Sequence, residues 1–245
     1  MNKISKSYLY LFIVSLTISF ASIAQCQTSD STSLREGAWA LQFGIASNFT
    51  LTSFQGTTIS AKYQLSARNA LRGGVTISGN SSNGSSALSG TEADTSIGST
   101  SGSSYSSGQT ISLVAQYLWY LNPTGPIHFY TALGPSVSYS YSQSHSDNPE
   151  NQERYLYHYI YSSSSTQHGA GVTGSAGVEW FACQWLSIRA EYNESIQYQW
   201  SSSTSSTDYS STYVGYVPSH SETSGTSKGW NLSSSSVSFG VSIYW

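Results

Sequence analysis

The sequence predicts an all-β chain of eight antiparallel strands in up-and-down order, closed as one barrel. Three observations predict it. Apolar and polar residues alternate with a period of two in eight segments, short and long connections between those segments alternate, and the tryptophans collect at segment ends. Composition agrees. Only 9% of the 245 residues are charged while 14% are aromatic and 56 are serine, so strong helix formers are scarce and hydroxyl groups rather than ions meet water. A formal net charge of −3 has the wrong sign for a surface that neutralises phosphates, which excludes a nucleic-acid partner.

The first 24 residues stand apart. Lys3 and Lys6 precede an apolar run over 8–20 and the small residues Ser22 and Ala24, the pattern of a secretory signal peptide. That run is too short to cross a bilayer as a helix, which needs roughly 20 residues. Residues 25–36 then read as a tail and 37–245 as the barrel domain. Cys26 follows Gln25 rather than the small residue that precedes a lipidated cysteine. Export carries Cys26 and Cys183 into an oxidising compartment, where a tail of about ten residues is long enough to join them. Three states fit the sequence: a Cys26–Cys183 disulfide, two thiols, or a lipidated Cys26.

The eight segments follow in order. In the first, 38–48, Trp39, Leu41, Phe43 and Ile45 oppose Ala40, Gln42 and Gly44. The second, 58–66, sets Ile59, Ala61, Tyr63 and Leu65 against Ser60, Lys62 and Gln64. A short turn at 67–70 leads to the third, where Leu71, Val75 and Ile77 oppose Arg72, Gly74 and Thr76. The fourth, 109–121, opposes Ile111, Leu113, Tyr117 and Trp119 to Ser112, Gln116 and Leu118, and Asn122-Pro123-Thr124-Gly125-Pro126 turns the chain. In the fifth, 127–141, Phe129, Leu133 and Val137 oppose His128, Tyr130 and Ser136, with Pro135 marking a bulge or a strand end. The sixth (168–181), seventh (185–200) and eighth (232–245) complete an even count. Between them, 80–108, 143–167 and 201–229 read as long Ser/Tyr-rich loops.

Short turns at one end and long loops at the other describe a barrel in a bacterial outer membrane, with turns in the periplasm and loops outside. Trp39, Trp119, Trp180, Trp185 and Trp245 fall at the turn end and Trp200 at the loop end, where membrane interfaces collect indole rings. In 236–245 apolar residues alternate strictly and the chain ends on an aromatic, so Phe239, Val241, Ile243 and Trp245 look like the C-terminal signal that barrel-assembly machinery recognises. With the segments 129–138 and 177–192, this strand resembles the small OmpA/OmpX-type eight-stranded barrels. The resemblance implies a monomeric outer-membrane protein bounded by lipid, without a cofactor.

Inward charges are the first candidate site. Lys62, Arg72 and Arg189 oppose Glu179 and Glu191, a near balance, and similar heights above the turns let Lys62 meet Glu179 across the lumen with Arg189 beside it, a plug or a narrow gated pore. Some small barrels modify lipid A. The nearest counterpart here, His145-Ser146-Asp147-Asn148, departs from their His-x-Ser-Asn pattern. Histidines and cysteines are scattered, so no metal site is expected. Finally Tyr155, Tyr157, Tyr159 and Tyr161 alternate within a polar loop, which suggests strands continuing as a ribbon and a surface suited to adaptable recognition.

Overall fold

The computed structural model describes residues 34–45, 57–88, 91–92, 95–96, 100–152, 155–211, 215, 217–234 and 237–245. The strands of the main sheet are β1 (Trp39–Ile45), β2 (Thr57–Ser66), β3 (Asn69–Leu88), β4 (Thr100–Tyr120), β5 (Ile127–Gln152), β6 (Tyr155–Cys183), β7 (Leu186–Ser211), β8 (Ser219–Ser234) and β9 (Ser238–Tyr244), and Thr91–Glu92 and Thr95–Ser96 pair as a separate two-residue ladder. Each of β1 to β7 pairs antiparallel with the next. β9 returns to pair with both β7 and β1, from Ala40↔Tyr244 to Ile45↔Phe239 on one side and Ser238↔Glu191 to Ile243↔Leu186 on the other, so the chain is a closed eight-stranded β-barrel. β8 continues the eighth wall strand along β7, with the register stepping by one residue between Ser234↔Glu194 and Ser238↔Glu191.

Alternation along these strands produces an inverted interior. Lys62, His128, Gln42, Gln64 and Glu179 are among the largest fully buried side chains, whereas Ile77 is 59% exposed and Phe129, Leu133 and Ile196 are each 54% exposed. In water this arrangement would forfeit the apolar burial that drives folding. A small apolar cluster closes the short-turn end. There Leu34, from the segment before β1, is buried with Ala70, Leu118, Tyr120, Tyr130 and Ala132. The end of the expected tail is thus part of the barrel base.

The short turns are tight for local reasons. At 121–126, Asn122 accepts a bond from the Phe129 N–H (2.6 Å) and donates to the Ile127 carbonyl (2.7 Å), while Gly125 takes a positive φ of 91° that disfavours other residues.

Two expectations are corrected. The long connections are not loops for most of their length: the ribbon expected at 155–161 is present, β5 and β6 pairing out to Gln152↔Tyr155, and β3 and β4 likewise stay paired out to Leu88↔Thr100 and β7 and β8 to Tyr209↔Ser219. Once two strands leave the barrel in register, each further pair adds ladder bonds without a new loop to close, and cross-strand hydroxyl contacts such as Ser144–Ser163 (2.9 Å) and Ser82–Ser106 (2.8 Å) add to them. Nor does Pro135 end or bulge its strand. It pairs with Val172 of β6, and the register to β4 is the same on either side, at Val114↔Ser136 and Tyr117↔Leu133. Only the intervening ladder to β4 lapses, where a missing N–H costs little. There a Cβ on Gly134 would stand 1.8 Å from the Ala115 carbonyl oxygen, so the close approach requires glycine.

Closure makes a direct prediction. Deleting 238–245 leaves β1 and β7 with unpaired edges, and the compact form that migrates faster in unheated detergent gels should disappear; its survival would show that the ring closes without β9.

Candidate functional site

The lumen is built in two layers of paired charge. In the lower, Lys62 of β2 meets Glu179 of β6 at 2.9 Å, each 1% exposed. The Lys62 ammonium also donates to the hydroxyls of Tyr120 (2.6 Å) and Tyr244. Those tyrosine hydroxyls in turn donate hydrogen bonds to the same carboxylate, Tyr120 at 2.8 Å and Tyr244 at 2.6 Å, and Ser187 donates a third at 2.6 Å. Every polar atom of the pair is satisfied. That condition decides whether a buried ion pair stabilises a structure or strains it.

The upper layer centres on Glu191 of β7. Arg72 of β3 grips it with both terminal nitrogens, at 2.5 and 3.0 Å, and Tyr130 donates to it at 2.5 Å. Gln116 orients the Arg72 fork by accepting at 2.6 Å. Arg189 departs from the expected geometry. It stands opposite Glu179 in the β6–β7 ladder, yet its guanidinium reaches Glu191 at 3.4 Å and Gln42 at 3.3 Å. The reason is that both oxygens of Glu179 are already occupied by Lys62, the two tyrosines and Ser187. Charge pattern alone missed these hydroxyl and amide partners, although Tyr120, Tyr130, Tyr244, Gln42 and Gln116 all lie at inward positions of the same alternation. Above this layer the lumen opens into a cavity of about 360 Å³.

The outer surface carries an apolar belt. Trp39, Trp119, Trp180, Trp185 and Trp245 stand exposed at its short-turn edge. At the far edge Tyr139 and His168 (5.2 Å) and His168 and Trp200 (5.6 Å) pack ring against ring. Twelve residues separate Ile188, which pairs with Trp180, from Trp200, and at a tilt near 40° they climb about 30 Å. Phe239, Ile243 and Trp245 belong to this belt, with Val241 partly buried between them.

Beyond the belt, the remaining candidate residues sit on the paired ribbon. Tyr155 and Tyr157 pair in register with Gln152 and Glu150, Tyr159 packs on Tyr209 at 4.8 Å between ring centres, and Tyr161 lies opposite Ser146 and Thr207. His145 and Ser146 do not meet. Neighbours in a strand face opposite sides, so His145 Nδ1 bonds Ser162 at 2.9 Å and Asp147 pairs with His158 at 3.3 Å. Cys183 is buried at the end of β6, and Cys26 lies outside the described residues. Among the described residues no group of three or more His, Cys, Asp or Glu side chains is placed to hold a metal ion. The exposed His220 ring has Asp208 at 2.6 Å, and that hydrogen-bonded carboxylate holds its pKa above the ordinary imidazole value.

No protein-family model matches the chain, and no curated protein matches it. Solved structures do. The N-terminal β-barrel domain of Pseudomonas aeruginosa OprF is similar over 86% of this chain and 98% of that one, at 10% identity and a TM-score of 0.37. A major outer membrane protein from Thermus thermophilus is similar over 85% and 99%, at 15% identity and 0.40. Ail, the attachment invasion locus protein of Yersinia pestis, is similar over 86% and 99%, at 12% identity and 0.35.

Two predictions rest on this geometry. Glu179→Ala strands a buried ammonium and should lower stability to denaturant by about 3 to 5 kcal/mol, whereas Lys62→Met with Glu179→Gln should fall much nearer the parent, as measured by unfolding in urea. His220 titrates with a raised pKa in the folded chain. Its contact with Asp208 therefore stabilises below the unfolded pKa, near 6.5, and the contribution is lost as pH rises through the folded value. Asp208→Asn should move the His220 NMR titration midpoint down; an unmoved midpoint would show that the carboxylate does not set it.

Proposed function

We propose that this chain is a bacterial outer-membrane β-barrel whose lumen is sealed and whose β3–β8 ribbons stand outside the cell as an interaction surface. The single observation that carries the reading is the inversion of the barrel: ions and amides inside, a face made mostly of aliphatic and aromatic side chains outside, and aromatic rings at both edges of a belt about as tall as a bilayer core. Hydrocarbon is the solvent that such a surface matches.

The short-turn end then faces the periplasm. Leu34 and its cluster close that mouth, and the two charge layers fill the lumen above it, which supports a structural and presenting role rather than conduction. The ribbons give the presenting role its chemistry. Paired aromatics such as Tyr159 and Tyr209 sit among Ser and Thr hydroxyls, rigid rings with adaptable hydrogen-bond groups beside them. Sequence-wide, the charged residues outside the belt are mostly acidic, which disfavours phosphate groups as the recognised feature.

Planar-bilayer recording of the purified protein should show no discrete conductance steps. Replacing Tyr159, Tyr161 and Tyr209 by Ser should reduce adhesion of expressing cells to glycan- or protein-coated surfaces while outer-membrane levels stay the same. Stable channel steps, or adhesion indifferent to the three tyrosines, would overturn the corresponding half of the reading.

A further inference from the structure

The charges in the lumen do not balance. Among the described residues three buried cations, Lys62, Arg72 and Arg189, face two buried carboxylates, Glu179 and Glu191. Lys62 and Arg72 each hold a carboxylate at 3.0 Å or closer. Arg189 has only longer contacts, at 3.4 Å to a Glu191 that Arg72 already grips and 3.3 Å to Gln42. A buried guanidinium that shares its one counter-ion with another is short of negative charge.

Arg189 is also placed where a ligand could supply that charge. With Arg72, Gln116 and Glu191 it lines the floor of the 360 Å³ cavity, and the walls above are mostly hydroxyls and amides, including Thr58, Thr76, Ser112 and Gln197, with Leu113 and Val114 among them. Glu194 also lines the cavity, but its carboxylate is exposed and accepts from the Tyr192 hydroxyl at 2.8 Å rather than meeting Arg189. Two glycines make room for the guanidinium. Gly44 and Gly240 are ladder partners, and a Cβ at Gly240 would stand 2.8 Å from Arg189 Nε, so this stretch of β1–β9 forgoes side chains where the guanidinium lies.

We propose that this cavity binds a small hydroxylated anion, a carboxylate of sugar-acid size, with its charge on Arg189 and its hydroxyls on the Ser, Thr and Gln side chains of the wall. The volume equals that of about a dozen waters. It accommodates a six-carbon sugar acid and far exceeds a single inorganic ion. A neutral polyol would use the walls and leave the charge unanswered, whereas the anion meets both. Because Lys62–Glu179 and the Leu34 cluster close the base, the site is a cup that fills from the ribbon side. The inference concerns the lumen alone and stands apart from the adhesive role of the ribbons.

Calorimetric titration of the full-length mature protein, folded in detergent micelles, tests it with three probes: gluconate, inorganic phosphate and the uncharged polyol sorbitol. Gluconate should bind saturably at one site, more tightly than phosphate, and sorbitol should give no heat of binding. Arg189→Gln should weaken gluconate by about 10- to 100-fold, the range for losing a hydrogen bond to a charged group. Gluconate should raise the unfolding temperature of the parent but not of that variant. Should Arg189→Gln not fold, Thr173→Phe fills the cavity with Arg189 intact and should abolish binding. The proposal is overturned if folded parent protein binds no gluconate at millimolar concentration, if sorbitol binds as well, or if phosphate binds as tightly. Gluconate binding indifferent to Arg189→Gln or Thr173→Phe would overturn it too.

Discussion

A sheet escapes unpaired edges only by closing on itself, and here closure rests on seven residues, β9, hydrogen-bonded to β1 on one side and β7 on the other. The remaining features depend on that ring. Eight strands enclose a space that side chains alone can fill. Inward positions must therefore complement one another across the barrel, and outward positions must match whatever surrounds it.

Complementarity in the lumen is achieved with ions rather than with apolar packing, and tyrosines make this workable. Tyr120 and Tyr244 bond both Lys62 and Glu179, while Tyr130 supports Glu191, so phenol groups bring hydrogen bonds to buried charges and bury ring area at the same time. The packing of Tyr120 and Tyr130 with Leu34 and Leu118 then links the charged layers to the apolar base. Base and network are one unit, which explains why residues before β1 belong to it.

Above the belt the same ladders continue with a different composition. Serine, threonine and glycine replace the aliphatic residues, and pairing persists without a packed interior because backbone bonds and hydroxyl contacts run from strand to strand. The extended part thus inherits its register from the barrel. Its tyrosine and histidine contacts, such as Tyr159–Tyr209 and His220–Asp208, are consequences of that register rather than separate motifs.

Strand number, order and facing were legible in the sequence because a period of two leaves one face apolar and the other polar, and a slip of one residue would reverse every position. That is why Ile59 and Lys62, or Phe129 and His128, could be assigned to opposite sides from the residues alone. Three things were decided only by tertiary structure. Ring curvature and stagger bring Arg189 to Glu191 and Gln42 instead of its ladder neighbour Glu179, a choice set by which oxygens other strands had already filled. Low-complexity serine tracts carry no apolar alternation, so their pairing into ribbons follows from strands entering in register. Leu34 has no periodic partner in sequence, and its burial depends on the shape of a mouth that exists only once the barrel has closed.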